Sequence, residues 1–339
     1  MSTPILETRG LTRVFRVGGF ADRHDLHAVD DADFVINESE IVALVGESGS
    51  GKSTIARLLA QVYRPSSGEI LFEGAPLSSL TSRRDQMRYR AAVPMVFQDP
   101  FSSLNPSYPV SHGILRGLKL HRPELDAAAR RAEAERVTEV VGLTPAREAL
   151  EKYPHEMSGG QRQRIGFAQA LAYRPKVILA DEPVSMLDIS IRIGLLNVMA
   201  KLRDEEGVSL LYITHDIASA RYIADRMMVM YAGRVVESGP VDEVLQAPRH
   251  PYTQLLVAAV PDPRAPLAVS AERAAGEPPK VIDPTPGCRF ADRCPLAKEV
   301  CRRVTPPLLA LEPAHTVACH VAAESVGRGA ESVSVGAAA

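Results

Sequence analysis

Four short apolar runs punctuate the middle of the chain: IVALVG at 41–46, VPMVF at 93–97, VILADE at 177–182 and SLLYITH at 209–215. Each has the length and β-branched content of a strand buried on both faces. Amphipathic stretches at 53–63, 126–141 and 191–205 lie between them and fit helices. This alternation predicts an α/β unit with a mostly parallel sheet covered on both sides. Residues 1–40 and 68–80 read as short strands with turns, a small antiparallel layer. MMVMY-AG-RVVESG reads as a hairpin with a tight turn at Ala232-Gly233. The Pro-rich DPFSSLNPSYP at 99–109 opens a different, charged stretch, expected to be a helical insertion over about 99–165. No repeat of 20–50 residues is visible. Residues 1–260 therefore read as one large domain. The span 261–322 reads as a Pro/Ala/Arg linker followed by a cysteine-bearing extension, and the Gly/Ala/Ser-rich 323–339 as a disordered tail.

Composition narrows the function classes. Lys plus Arg number 39 and Asp plus Glu 41, a net charge of −2, so the basic excess usual in a nucleic-acid binder is missing. No window approaches the roughly 18–20 apolar residues needed to cross a bilayer. MSTPILETRG has no basic start followed by an apolar stretch, so it does not read as a signal peptide. A membrane role is expected only through partners.

Three motifs carry chemistry. GESGSGKST, Gly46 to Thr54, fits G-x-x-x-x-G-K-[ST] between an apolar strand and a helix. Such a loop turns backbone N–H groups inward around phosphate oxygens, and the helix N-terminus adds partial positive charge. Within Gly46, Glu47, Ser48, Gly49, Ser50, Gly51, Lys52, Ser53 and Thr54, Lys52 is placed for the β- and γ-phosphates and Ser53 for Mg²⁺. VILADEP ends a buried strand in two carboxylates: Asp181 is placed to hold Mg²⁺, and Glu182 to face an attacking water. Alone, such a pair is usually a solvated strand end; downstream of a phosphate loop it is a site. MSGGQRQR starts a second helix with Ser158 as N-cap and glycines that permit close approach of an anion. A phosphate enzyme working alone has no use for this second helix start.

MSGGQ resembles the LSGGQ signature of ABC ATPases, with Met157 where Leu is usual. The other marks of that family follow in order. Gln98 in VFQDP resembles the Q-loop glutamine, which meets the metal and attacking water and abuts the membrane subunits. SMLD, Ser185 to Asp188, resembles the D-loop, with Met186 where Ala is common. His215 in ITHD resembles the switch histidine, which contacts the γ-phosphate. Phe15 lies where the family stacks an aromatic, often Tyr, on adenine; an ordinary core residue is the alternative. The resemblance spans about residues 4–260. It implies ATP and Mg²⁺ as cofactors, with Glu182, His215 and Gln98 catalytic, Mg²⁺ held by Ser53, Gln98 and Asp181, and Asp188 beside the nucleotide. It implies head-to-tail pairing with a second ATPase, expected to be a sister chain, whose ATP meets Ser158, Gly160 and Gln161 of this one.

HPYTQLL at 250–256 and PTPGCRF-ADRCP-LAKEVC at 284–301 resemble the C-terminal extension of oligopeptide and dipeptide importer ATPases. That implies two permease subunits, an extracellular substrate-binding protein and a place at the cytoplasmic face of the cell membrane. Cys288, Cys294, Cys301 and Cys319 are the chain's four cysteines, spaced C-x5-C-x6-C-x17-C. Grouped thiols on a cytosolic chain read as a metal site rather than disulfides. Related tails point to a [4Fe–4S] cluster; zinc and unliganded thiols are the alternatives. Other functions fit less well. Repair ATPases of this class carry a long coiled-coil insertion, whereas here 104 residues lie between Ser53 and Ser158 with no sustained heptads. Translation members carry two phosphate loops per chain, and this one has one. A non-catalytic subunit would lack Glu182, Ser158 or His215. Cargo is not encoded in these motifs, and relatives carry nickel, glutathione or oligosaccharides as well as peptides.

Overall fold

A computed structural model describes residues 4–19, 22–99, 104–259, 281–312 and 314–325. Its main sheet has eight strands. Five run parallel: β3 (Ile41–Val45), β6 (Met95–Val96), β7 (Val177–Asp181), β8 (Ser209–Thr214) and β9 (Arg226–Tyr231). Antiparallel to β9 comes β10 (Arg234–Pro240), followed by β12 (His315–Val317) and β11 (Leu309–Glu312), giving the order β11-β12-β10-β9-β3-β8-β7-β6.

Every residue of β3, β7 and β8 is buried, which is why these runs are unbroken by polar positions. The pleat still sorts them. Ile41, Ala43 and Val45 face one core with Phe167 and Leu195, while Val42 and Leu44 face a second with Ile55, Leu59, Leu6 and Ile36. Helix α1 (Lys52–Leu59) covers the second face. Beyond it lies a four-stranded antiparallel sheet of β2, β1, β4 and β5, with β1 at Pro4–Gly18, β2 at Arg23–Asn37, β4 at Ser67–Phe72 and β5 at Ala75–Pro76. The expected short N-terminal strands are in fact two paired strands of 15 residues each, because bulges let one long hairpin bend without ending. The VPMVF strand is shorter than expected: Met95 and Val96 form the only ladder, at the sheet edge, where Pro94 lacks a donor but its carbonyl still accepts from Leu179 N at 3.0 Å.

After α2 (Arg83–Ala92), the insertion contains α3 (Ser111–His121), α4 (Ala127–Val140) and α5 (Ala146–Glu151), and leads into α6 (Gly159–Ala172). Residues 100–103 and the linker at 261–280 lie outside the described residues. Helices α7 (Ile189–Asp204), α8 (Ile217–Ile223), α9 (Val241–Gln246) and α10 (Pro251–Ala258) complete the large unit. The turn between β9 and β10 is at Ala232 and Gly233, both left-handed with φ of 47° and 86°, as the hairpin requires.

The cysteine-bearing extension is part of the main sheet, not an appendage. It contains α11 (Glu299–Arg303), the β11–β12 hairpin and α12 (His320–Ser325). Helix α12 runs into the stretch expected to be a disordered tail, and 326–339 lie outside the described residues. One buried carboxylate fastens the extension. Glu237 on β10 accepts from the backbone N–H of Arg249 at 2.7 Å and of His250 at 2.8 Å, and pairs with His315 Nε2 at 2.7 Å. Burial pushes the Glu237 carboxyl up, but the His315 and backbone hydrogen bonds outweigh it and hold the group below its ordinary range.

Glu237→Gln keeps the shape but removes the charge that these donors need. It should cost about 3 kcal/mol at neutral pH, read by chemical denaturation. Because folding depresses this carboxyl, its contribution is complete above the ordinary value of 4.5 and is lost as pH falls through the folded value. The stability gap between the two proteins should therefore stay constant down to about pH 5 and close below it.

Candidate functional site

The loop from Gly46 to Gly51 leaves the C-terminal end of β3 and enters α1. Its glycines are demanded by geometry. Gly46 has φ of 154° and Gly51 of 105°, and a Cβ on them would lie 2.2 Å from the carbonyl oxygens of Met230 and Ala28 respectively. Lys52 is buried at the first position of the helix and bonds back into its own loop, donating to Gly46 O and Glu47 O at 2.8 Å each. Burial lowers its pKa, and the carboxylates of Glu182, Asp181 and Glu47 partly offset that. One residue on, Ser53 Oγ donates to Asp181 Oδ1 at 2.8 Å. Desolvation raises the Asp181 pKa, and the Ser53 hydrogen bond opposes the rise. Two oxygens expected to share a divalent cation thus already sit side by side.

The neighbouring strand ends converge. Glu182 follows β7 in a left-handed conformation, φ 46°, which turns its side chain away from that of Asp181. Its Oε2 lies 3.3 Å from Gln98 Nε2 and 3.3 Å from His215 Nδ1. Gln98 comes from the loop after β6 and His215 from the end of β8, so three adjacent parallel strands deliver one residue each to the same carboxylate oxygen. Gln98 also reaches Ser185 Oγ at 3.2 Å. Crevices at the C-terminal ends of parallel strands are where open α/β sheets bind ligands.

Ser158 caps α6: its Oγ accepts from Gln161 N at 3.2 Å, and Gln161 Oε1 accepts from Ser158 N at 2.9 Å. Each of these two side chains accepts from the other residue's backbone N–H, and Ser158 is exposed. Gly160 is buried against α7, where a Cβ would lie 2.3 Å from Ile191. Asp188 stands at the start of α7. Beside it Met186 and Ile189 are 66% and 73% exposed. Phe15 is half-buried on β1, with Tyr63 edge-on at 5.3 Å and the Arg13 guanidinium 4.5 Å above its ring.

The four thiols are unbonded and close enough for Cys288 to sense the charge of the other three. Burial pushes the Cys288 thiol up to about 11. Among the described residues, the only set of three or more His, Cys, Asp or Glu whose ligand atoms all lie within 4.8 Å of one another is Glu243, Glu312 and His315, so no three sulfurs approach that closely. Sulfurs around a single tetrahedral zinc would stand about 3.8 Å apart.

Over 333 residues the chain is 43% identical to the probable peptide ABC transporter ATP-binding protein y4tS of Sinorhizobium fredii, covering 95% of this chain and 91% of that protein. The chain belongs to the ABC transporter ATP-binding proteins. It is 41% identical to the oligopeptide transport ATP-binding protein AppF of Bacillus subtilis, covering 94% and 97% of the two chains. The family described as ABC transporter matches residues 29–185, and that described as oligopeptide/dipeptide transporter, C-terminal region, matches 236–301. Among solved structures, the cassette MJ0796, dimeric in a post-hydrolysis state with ADP and Pi, aligns with a TM-score of 0.61 at 26% identity, over 70% of this chain and 98% of that one. CbiO1 of Clostridium perfringens, part of the cbiONQ complex, aligns at 0.63 and 28%, over 72% and 92%. Like its family, this ABC ATPase binds and hydrolyses ATP with Mg²⁺.

Sequence reasoning missed the neighbours of Glu47. Tyr252 Oη accepts from Glu47 N at 2.9 Å, and Arg293 grips the Glu47 carboxylate at 2.9 and 3.1 Å. Their only trace in the sequence was the pair of tail segments HPYT and ADRCP, which betray a family but not a contact.

The glycine geometry makes a graded prediction for this ABC ATPase. Gly51→Ala meets backbone and should destabilise the fold by about 2 kcal/mol or more and abolish ATP binding. Gly49→Ala, with nothing within 4 Å of its Cβ, bears only the φ of 79° and should cost about 1 kcal/mol. Thermal unfolding and nucleotide titration of the two proteins would check the order.

Proposed function

We propose that this chain is the ATP-hydrolysing subunit of an importer for di- and oligopeptides, seated at the cytoplasmic face of the membrane. The observation that carries the reading is the meeting of Gln98, Glu182 and His215 at one carboxylate oxygen, next along the chain from the Ser53–Asp181 pair. Lys52 gives up its carbonyl partners for the β- and γ-phosphates. Ser53, Asp181 and Gln98 would hold Mg²⁺, which when bound neutralises phosphate charge. Glu182 takes the proton of the attacking water, His215 steadies the γ-phosphate, and Gln98 orients the water. Phe15 offers the face opposite Arg13 to the adenine ring.

Ser158, Gly160 and Gln161, with Asp188, act on the nucleotide of a second ATPase, a sister chain packed head to tail. The exposed Met186 and Ile189 beside Asp188 support a covered face there. ATP then bridges two subunits, and hydrolysis removes the bridge, which is the differential binding a switch needs. Exposed Phe97 and Tyr108, flanking the Gln98 loop and the insertion, suit contact with two permeases. A substrate-binding protein outside the cell delivers cargo. The peptide assignment rests on the names of the relatives and the match at 236–301.

Cys288, Cys294, Cys301 and Cys319 would hold a [4Fe–4S] cluster, an electron-accepting and cross-linking group. What supports this reading is the gathering of the four thiols in one extension whose sequence matches that of oligopeptide/dipeptide transporters.

Glu182→Gln should still bind ATP while turnover in the assembled transporter falls about 10²–10⁴-fold. A turnover rate unchanged by Glu182→Gln would sink the catalytic assignment. Uptake of labelled peptides into vesicles holding the whole transporter would establish the cargo, and uptake of nickel, glutathione or an oligosaccharide instead would replace it. Anaerobically purified protein should be brown, with about four iron and four sulfide per chain. Colourless, iron-free protein would remove the cluster.

A further inference from the structure

The cysteine-bearing loop touches the phosphate loop by two separate routes. Arg293, one residue before Cys294, forms a two-pronged ion pair with Glu47, its Nη1 at 2.9 Å and Nη2 at 3.1 Å from the two carboxylate oxygens. The pair is mostly shielded, with side-chain exposures of 15% and 27%. Arg289, one residue after Cys288, donates to the Ala232 carbonyl and to Asp30. From the same turn, Gly233 N donates to Ser50 O at 2.9 Å, inside the phosphate loop. Between these routes Phe290 packs edge-on against Tyr231 at 5.2 Å and tilted against Tyr252 at 5.5 Å, and Tyr252 Oη holds Glu47 N. Glu47 is thus held by backbone and by side chain, both from residues C-terminal to β10.

We propose that Arg293 is a positioning residue of the nucleotide site: the C-terminal extension completes the phosphate loop by clamping Glu47, so ATP affinity depends on it. The physical reason is entropic and geometric. The carbonyls of Gly46 and Glu47 hold Lys52 before nucleotide arrives, so a loop fixed in that shape has less freedom to lose on binding. A forked guanidinium fixes a carboxylate in direction as well as distance, which a surface lysine would not. Charge argues the same way: Glu47 repels phosphate, and Arg293 neutralises it next to the site. Both effects favour nucleotide when Arg293 is present. This inference rests on Lys52's loop being the nucleotide site.

Titration of the full-length chain with a fluorescent ATP analogue and Mg²⁺ tests it, alongside thermal unfolding of the same samples. Arg293→Ala should weaken binding about five- to tenfold, and Arg293→Lys by less, since it keeps charge but loses the fork. Glu47→Gln combined with Arg293→Ala should weaken binding by less than the product of the two single effects, as expected for directly coupled residues. Binding within twofold of wild type for Arg293→Ala, with or without a lower unfolding temperature, overturns the proposal, because a merely structural contact would behave so. If Arg293→Ala does not fold, Arg293→Lys decides instead: affinity equal to wild type overturns it. Lys52→Ala separates the two layers. If Lys52→Ala leaves affinity intact, the nucleotide-site reading falls; if Lys52→Ala abolishes binding but Arg293 variants do not change it, only this inference falls.

Discussion

An ammonium group stripped of water at the positive end of a helix is an unfavourable object, and this fold is arranged around one. Lys52 sits where the macrodipole of α1 repels it and where burial lowers its pKa. The carbonyls of Gly46 and Glu47 hold it meanwhile, at 2.8 Å each. Those carbonyls can turn inward only because the loop packs against neighbouring backbone so tightly that no side chain fits at Gly46 or Gly51. The backbone of β9 at Met230 and of β2 at Ala28 forms the walls that enforce this closeness. An anion arriving at the loop therefore meets a charge already dehydrated and already aimed.

The acidic side of the site solves the opposite problem. Two adjacent carboxylates following one strand would repel if both faced the same cation. Asp181 stays within β7 and bonds to Ser53, while the left-handed backbone at Glu182 sends the second carboxylate toward Gln98 and His215. One residue of backbone strain thus separates the acid that meets Ser53 from the one that meets Gln98 and His215. That strain persists because Glu182 N is tied to Ile213 O at 3.0 Å and its carbonyl accepts from Ser185 Oγ at 2.9 Å.

Much of this was legible in the amino-acid order. Strands β3, β7 and β8 are buried on both faces, so their apolar runs had no ambiguity, and the phosphate loop, the acidic pair, Ser158 and His215 all fall at strand or helix ends as their motifs require. Legibility failed where the deciding force was not local. Pro94 and the sheet edge shortened β6. Bulges that sequence does not mark merged the N-terminal strands into one long hairpin. The ion pair between Glu47 and Arg293 joins residues far apart in the chain, and neither residue type announces it. The extension was readable as a thiol-bearing segment, but strands of three and four residues carry too little pattern to show that they join the main sheet.

Covering β10 with β12 has a consequence for how the molecule is made. On the ribosome, His315–Val317 emerges well after the rest of the ATPase unit could collapse. Until then β10 offers a row of unsatisfied amide and carbonyl groups along its outer side, and Glu237 waits without His315. A nascent or prematurely terminated polypeptide would in that interval carry an adhesive seam able to zip onto a neighbour's strand. Shortened versions of this subunit that stop before residue 309 would retain every phosphate-binding motif and yet be the ones prone to clump.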